Sequence, residues 1–221
     1  MRNILQIGYT TEGSTDVRFL SNIIQKTFEN IAMECSKEID VYQPEFLRKE
    51  GNGFVDQIVN LATKYSYFHI ICIHCDADSL SIEKRMQHNI NPAFSAIKNT
   101  KGSLCKNLVS VIPVQMTEAW MMADLDLLKK KMGTDKSNNE LELPIRSNLI
   151  EKIADPKSCI SNALRIAQIS QPRRRKKLTI SNLYTPISQE LRIDKLQLLP
   201  SFKIFEENAR QAMIKLNFLQ L

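Results

Sequence analysis

The segment Phe68-His69-Ile70-Ile71-Cys72-Ile73-His74-Cys75 constrains the fold of this chain more than any other. It is an apolar run with β-branched residues, as expected for a central strand of a parallel sheet covered on both faces. The run stops at Asp76-Ala77-Asp78-Ser79. Upstream, Ile4–Tyr9 reads as a first strand, followed by Thr10-Thr11-Glu12-Gly13-Ser14-Thr15-Asp16. An amphipathic helix comes next, with Val17, Phe19, Leu20, Ile23, Ile24, Phe28 and Ile31 at helical spacing and Ser14 as its expected N-cap. A short strand over Ile39–Gln43 and a helix over Val55–Tyr65 lead back to the central run. After it come a helical region at about 81–98 broken at Pro92, a strand over Asn107–Val114, and a helix over Glu118–Lys131.

Alternating strands and helices with short turns predict β-α-β units and a mostly parallel sheet of about four strands. From about residue 145 only helical patterns remain, at roughly 146–154, 158–169, 180–192 and 201–217. The expected organisation is an α/β core over 1–132, a polar loop over 133–145, and a helical C-terminal region over 146–221 packed on that core. Hydrophobic residues make up 43% of the chain, enough for a core and against wholesale disorder. No stretch approaches the ~18 apolar residues of a membrane span, and the opening residues lack a signal-peptide pattern. The expectation is a soluble cytoplasmic protein with no membrane contact.

Charge is unevenly placed. Residues 1–170 hold 20 Lys+Arg against 20 Asp+Glu, so the net +6 lies wholly in the last 51 residues. Half of the cations there form one run, Arg173-Arg174-Arg175-Lys176-Lys177, directly after Pro172. Such a run is either a solvated loop or a contact for a polyanion, because clustered cations gain affinity by releasing condensed counterions. Cys72-Ile73-His74-Cys75 has the C-x-x-C spacing of a zinc or redox pair. No second pair lies at ribbon spacing, and the two sulfurs cannot easily face one site from a strand, so structural burial is the reading.

The acidic residues matter because of where they fall. Ligands of open parallel sheets bind outside the carboxyl ends of the strands. Glu12 follows the first strand, Asp76 and Asp78 the third, and Glu118 the fourth. Neighbouring strands would bring all four to one edge, where a hard cation such as Mg²⁺ or Mn²⁺ would relieve their repulsion.

Glu12-Gly13-Ser14-Thr15-Asp16 and Asp76-Ala77-Asp78 resemble the two signatures of the topoisomerase–primase (Toprim) superfamily. More narrowly, the chain is similar to small stand-alone bacterial Toprim-like proteins. These pair the signatures with elements like Glu118-Ala119-Trp120, Asp155-Pro156-Lys157 and Leu198–Phe205. Ser79 departs from the pattern, which commonly continues with Gly or another acid. The resemblance implies a Rossmann-like Toprim core and Mg²⁺-dependent phosphoryl transfer on DNA or RNA. It implies Glu12 as general acid/base, and Asp76 and Asp78 as metal ligands. Glu118 is the candidate for a second metal, with Asp16 either a further ligand or a satisfier of its helix N-terminus. A partner ATPase in phage defence is a further implication; a toxin-like role and a homodimer stay open.

Other residues read more blandly. Trp120 is a core anchor, Met116, Met121 and Met122 are packing, and His69 and His74 are strand residues out of register with the acids. Lys157 either reaches a phosphate or the carboxylates, or is a surface lysine. Two other functions compete with the nuclease. A haloacid-dehalogenase-like phosphatase would use Asp76 as nucleophile, although that Asp normally follows the first strand. A non-catalytic nucleic-acid-binding or regulatory module would keep the fold alone.

Overall fold

A computed structural model describes residues 3–169 and 178–220. The strands are β1 (Asn3–Leu5), β2 (Ile7–Thr10), β3 (Ile39–Val41), β4 (Glu45–Phe46), β5 (Ile70–His74) and β6 (Leu108–Val111). The helices of the core are α1 (Ser14–Ala32), α2 (Phe54–Lys64), α3 (Glu83–Arg85), α4 (Asn91–Asn99), α5 (Glu118–Met121) and α6 (Leu125–Met132). The C-terminal region contributes α7 (Pro156–Gln168), α8 (Tyr184–Glu190), α9 (Ile193–Leu196) and α10 (Pro200–Lys215). This is an α/β fold with a four-stranded sheet in the order β4-β2-β5-β6, every pairing parallel.

The first expected strand is two, because the backbone shifts partners at Gln6. Its N–H donates to His69 Nδ1 at 3.0 Å, while its carbonyl accepts the His69 N–H at 3.1 Å. β1 pairs with β3 before this joint and β2 with β4 after it. The expected strand over Ile39–Gln43 likewise ends at Val41 and resumes as β4. Asn3 faces Ile39 but Gly8 faces Glu45, so one extra residue is taken up around Pro44, which has no N–H for a ladder.

Alternation along β5 sorts the two cores. Ile70 and Cys72 point to the face covered by α1 and the C-terminal helices, whereas Ile71, Ile73 and Cys75 point to the face covered by α2 and α4. The sulfurs of Cys72 and Cys75 thus sit in different cores, and all five cysteines are free. Each fully buried Ile, Leu or Phe contributes roughly 1.5–3 kcal/mol, and two such faces require β5 to be apolar throughout.

Helix boundaries differ from the periodicity in instructive ways. The N-cap of α1 is Gly13, not Ser14, and Asp16 accepts the Gly13 N–H at 3.0 Å. A Cβ at residue 13 would come 2.8 Å from that carboxylate, which explains the glycine. The expected helix over Glu118–Lys131 breaks because Asp124 caps a new one, accepting the Leu127 N–H at 3.0 Å. Pro92 does not break its helix: a π turn over Met86–Ile90 widens the backbone ahead of it, and α4 carries the proline in its first turn. The segment expected as a helix over 146–154 is a 3₁₀ helix, Ser147–Lys152. That over 158–169 starts at Pro156 behind the Asp155 cap, and that over 180–192 is a 3₁₀ turn, Ile180–Asn182, leading into α8.

The C-terminal helices complete the α1-side core. Phe202, Phe205, Ala209 and Met213 of α10 are buried with Trp120, Phe19 and Phe28. Trp120 stacks on Phe205 at 5.9 Å, meets Phe202 edge-on at 5.2 Å, and donates its indole N–H to Ser201 Oγ at 2.8 Å. Lys26 of α1 donates to the carbonyls of Ser188, Gln189 and Leu191 at 2.9, 2.6 and 3.0 Å, capping the C-terminal end of α8. No described helix is long and apolar enough to cross a membrane.

Candidate functional site

The carboxyl ends of β2, β5 and β6 converge on one edge of the sheet. Beyond β5 and β6 the ladder continues irregularly. Ala77 N–H donates to Pro113 O, Asp78 N–H to Gln115 O, and Gln115 N–H to Ser79 O, at 3.1, 2.9 and 3.0 Å. Asp78 and Gln115 both take positive φ, 49° and 60°, a left-handed backbone costly for residues other than glycine. The two residues are hydrogen-bonded to each other where the chains leave the regular ladder.

Glu12, Asp76 and Asp78 all lie at this edge. The Glu12 carboxylate accepts the Asp76 N–H at 3.4 Å. The Arg85 guanidinium pairs with Asp78 and lies 4.0 Å from Glu12 Oε1. Lys49 faces the same charges; burial lowers its pKa while Glu12 and Cys75 oppose that shift. Burial pushes the Cys75 thiol up to about 12, with Glu12 adding to the rise, so this cysteine is an inert thiol beneath the acids.

On the α1 side of Asp76 stands a second group. Asp16, His74 and Asp76 each offer a ligand atom within 4.8 Å of the others. Asp76 Oδ1 accepts the Thr117 N–H at 3.0 Å and lies 3.3 Å from His74 Nε2, which is itself 3.2 Å from Thr117 Oγ1. His74 is 1% exposed, and its Nδ1 has no hydrogen-bond partner among the described residues. The expectation that His74 lies out of register with the acids is corrected here. His74 and Asp76 are two residues apart on an extended chain, so period-two alternation puts them on one face. Asp16 both caps its helix and faces Asp76. Burial raises its pKa, and the nearby Asp76 charge raises it further against His74 and the Gly13 N–H.

Glu118 lies on the same side, 5% exposed. Burial raises its pKa, whereas the Tyr184 hydroxyl, donating to Oε1, and Lys157, 4.0 Å from that oxygen, pull it down. The Lys157 ammonium lies 4.0 Å from Glu118 Oε1 on a side chain that is 55% exposed, so it is both a surface lysine and a neighbour of the carboxylates. Trp120 is wholly buried and has no open face for a base. The run Arg173, Arg174, Arg175, Lys176 and Lys177 lies outside the described residues.

Arg85, Lys49, Thr117 and Tyr184 had no sequence signal, since none sits in a motif. His74 had one, its spacing from Asp76. Among the described residues, the donors close enough to share one cation are Asp16, His74 and Asp76, two carboxylates and one imidazole, a mixed oxygen and nitrogen set with room for a divalent ion, while Glu12 and Asp78 lie outside that group. No protein-family model matches this chain, and comparison with curated proteins and with solved structures gives no significant match.

Proposed function

We propose that the chain is a Toprim-like, divalent-metal-dependent phosphoryl-transfer enzyme, a nuclease of DNA or RNA. One observation carries the reading: Glu12, Asp76 and Asp78, with Asp16 and Glu118 beside them, lie at the carboxyl ends of three adjacent parallel strands. So many carboxylates together need positive charge, and a phosphodiester needs it too. Asp16, Asp76 and Asp78 would hold Mg²⁺ or Mn²⁺, and Glu118 is the residue for a second ion. A bound ion lowers the pKa of water and neutralises charge on a scissile phosphate.

The chain's own residues do the rest. Glu12 is about one-third exposed, takes a long hydrogen bond from Asp76 N–H and lies 4.0 Å from Arg85, which leaves its carboxylate within reach of a substrate to accept and return a proton. Thr117 N–H and His74 fix the Asp76 carboxylate in place. Lys157 offers an exposed ammonium beside Glu118, suited to a phosphate oxygen. The basic run 173–177 would supply further phosphate contacts along the backbone, and a partner ATPase and a phage-defence setting belong to the same reading.

Cleavage assays on single-stranded DNA, plasmid and tRNA with Mg²⁺ or Mn²⁺ test it. Activity should vanish in EDTA, and Glu12→Gln should lower it by about 10²- to 10⁴-fold, as for loss of a general acid/base. Cleavage that ignores EDTA, or a Glu12→Gln variant as active as the parent, would contradict the proposal.

A further inference from the structure

Among the described residues, Arg85 is the side chain that bridges the two exposed acids of the site. It lies in α3, immediately before the π turn, and its guanidinium reaches back over the loop that begins at Asp78. One nitrogen pairs with Asp78 and another lies 4.0 Å from Glu12 Oε1. The arginine side chain is 25% exposed, while those of Glu12 and Asp78 are 35% and 61% exposed, so all three are open to solutes. A divalent cation bound to Asp78 would compete for the oxygens that Arg85 now neutralises. The guanidinium fork fits a phosphate as well as a carboxylate, with donors in the same plane and spacing.

We propose that Arg85 is an exchangeable counter-ion and phosphate-binding residue: it pairs with Asp78 beside Glu12 until a divalent cation takes Asp78, then binds the substrate's phosphodiester. The proposal rests on the metal-dependent reading above and adds a residue and an order of events to it. Three features support the exchange. The pair is accessible, so breaking it requires no opening of the core. The Asp78 backbone is pinned by its own N–H to Gln115 O, a bond that does not involve the arginine, so its position does not depend on the pair. Releasing a cation next to a newly filled metal site also puts positive charge where a polyanion must approach. Two ligands of one charge sign that exclude each other from the same oxygens are coupled negatively, and the coupling is reciprocal.

Arg85→Gln separates the parts. Calorimetry with Mn²⁺ should show about three- to fivefold tighter binding than in the parent, the scale set by a partly exposed ion pair. Binding of a labelled single-stranded oligonucleotide of mixed sequence, checked on gels to stay intact, should change the other way. With Ca²⁺ present, Arg85→Gln should bind it more weakly, with a log K against log salt slope shallower by about 0.7, one single-strand phosphate contact. In EDTA the two proteins should bind alike. Arg85→Lys, which keeps the charge without the fork, should fall between them, and melting curves of all three should coincide if the fold is intact.

Equal or weaker Mn²⁺ binding by Arg85→Gln would overturn the exchange while leaving the metal reading standing. Oligonucleotide binding that is the same for both proteins in Ca²⁺, absent in both, or weakened equally in EDTA would overturn the phosphate role. No Mn²⁺ binding by either protein would sink the metal reading and the exchange with it.

Discussion

At the scale of single residues, Tyr184 shows what a buried acid requires. Its hydroxyl donates to Glu118, and its pKa is raised by burial and then by that carboxylate, so it stays a donor at any working pH. Tyr184→Phe should therefore destabilise the protein by roughly 1–3 kcal/mol, the cost of leaving a buried acceptor unpaired. Urea unfolding measures this, and an unchanged midpoint would mean that water or Lys157 replaces the hydroxyl. The pair was not legible in the sequence, because its members are 66 residues apart and belong to no repeating pattern. Glu12, Asp76 and Asp78 were legible for a physical reason: each follows the end of an apolar strand, where a parallel sheet exposes its ligand-binding edge. His74 was equally legible, by its two-residue spacing from Asp76, and was misjudged.

At the scale of elements, apolar periodicity located α1, α2, α10 and the central strand, because each buries a continuous stripe or face. It misplaced boundaries wherever a polar group decides them. Asp124 divides the helix after Glu118, the His69 imidazole takes over the Gln6 N–H, and Gly13 yields space to Asp16. Docking of α10 on the end of α1 is visible in one exposed pair, Arg210 with Glu34, at 2.7 Å between Nη2 and Oε1. The Arg210 hydrogen bond holds the Glu34 carboxyl below its usual range, with burial opposing and the arginine's charge assisting. A lowered folded-state pKa adds stability that is present above the ordinary glutamate value and lost as pH falls through the lower one. Because Glu34 is nearly half exposed, Glu34→Gln should cost at most about 1 kcal/mol at pH 7. The difference from the parent should shrink as pH drops below about 4.3, and thermal melts at pH 7 and pH 3 check that sign.

For the whole molecule, the fold class was legible and the dependence between its parts was not. Strand–helix alternation announces a parallel sheet, but nothing in the helical patterns after residue 145 says that they cover α1 and Trp120. The α1-side core draws on residues from Leu5 to Met213, and the C-terminal region also supplies Lys157 and Tyr184 to the site. The acidic edge of the sheet and the helices that frame it thus form one packed unit, and the central proposal is that this edge binds a divalent cation. Mn²⁺ calorimetry on the parent and on Asp76→Asn tests that claim most directly. The substitution removes a charge yet leaves an oxygen to accept the Thr117 N–H, so melting should barely change. The account predicts saturable Mn²⁺ binding by the parent and at least about tenfold weaker binding by Asp76→Asn, the scale of one lost ligand interaction. Equal Mn²⁺ affinity in two equally folded proteins would contradict it.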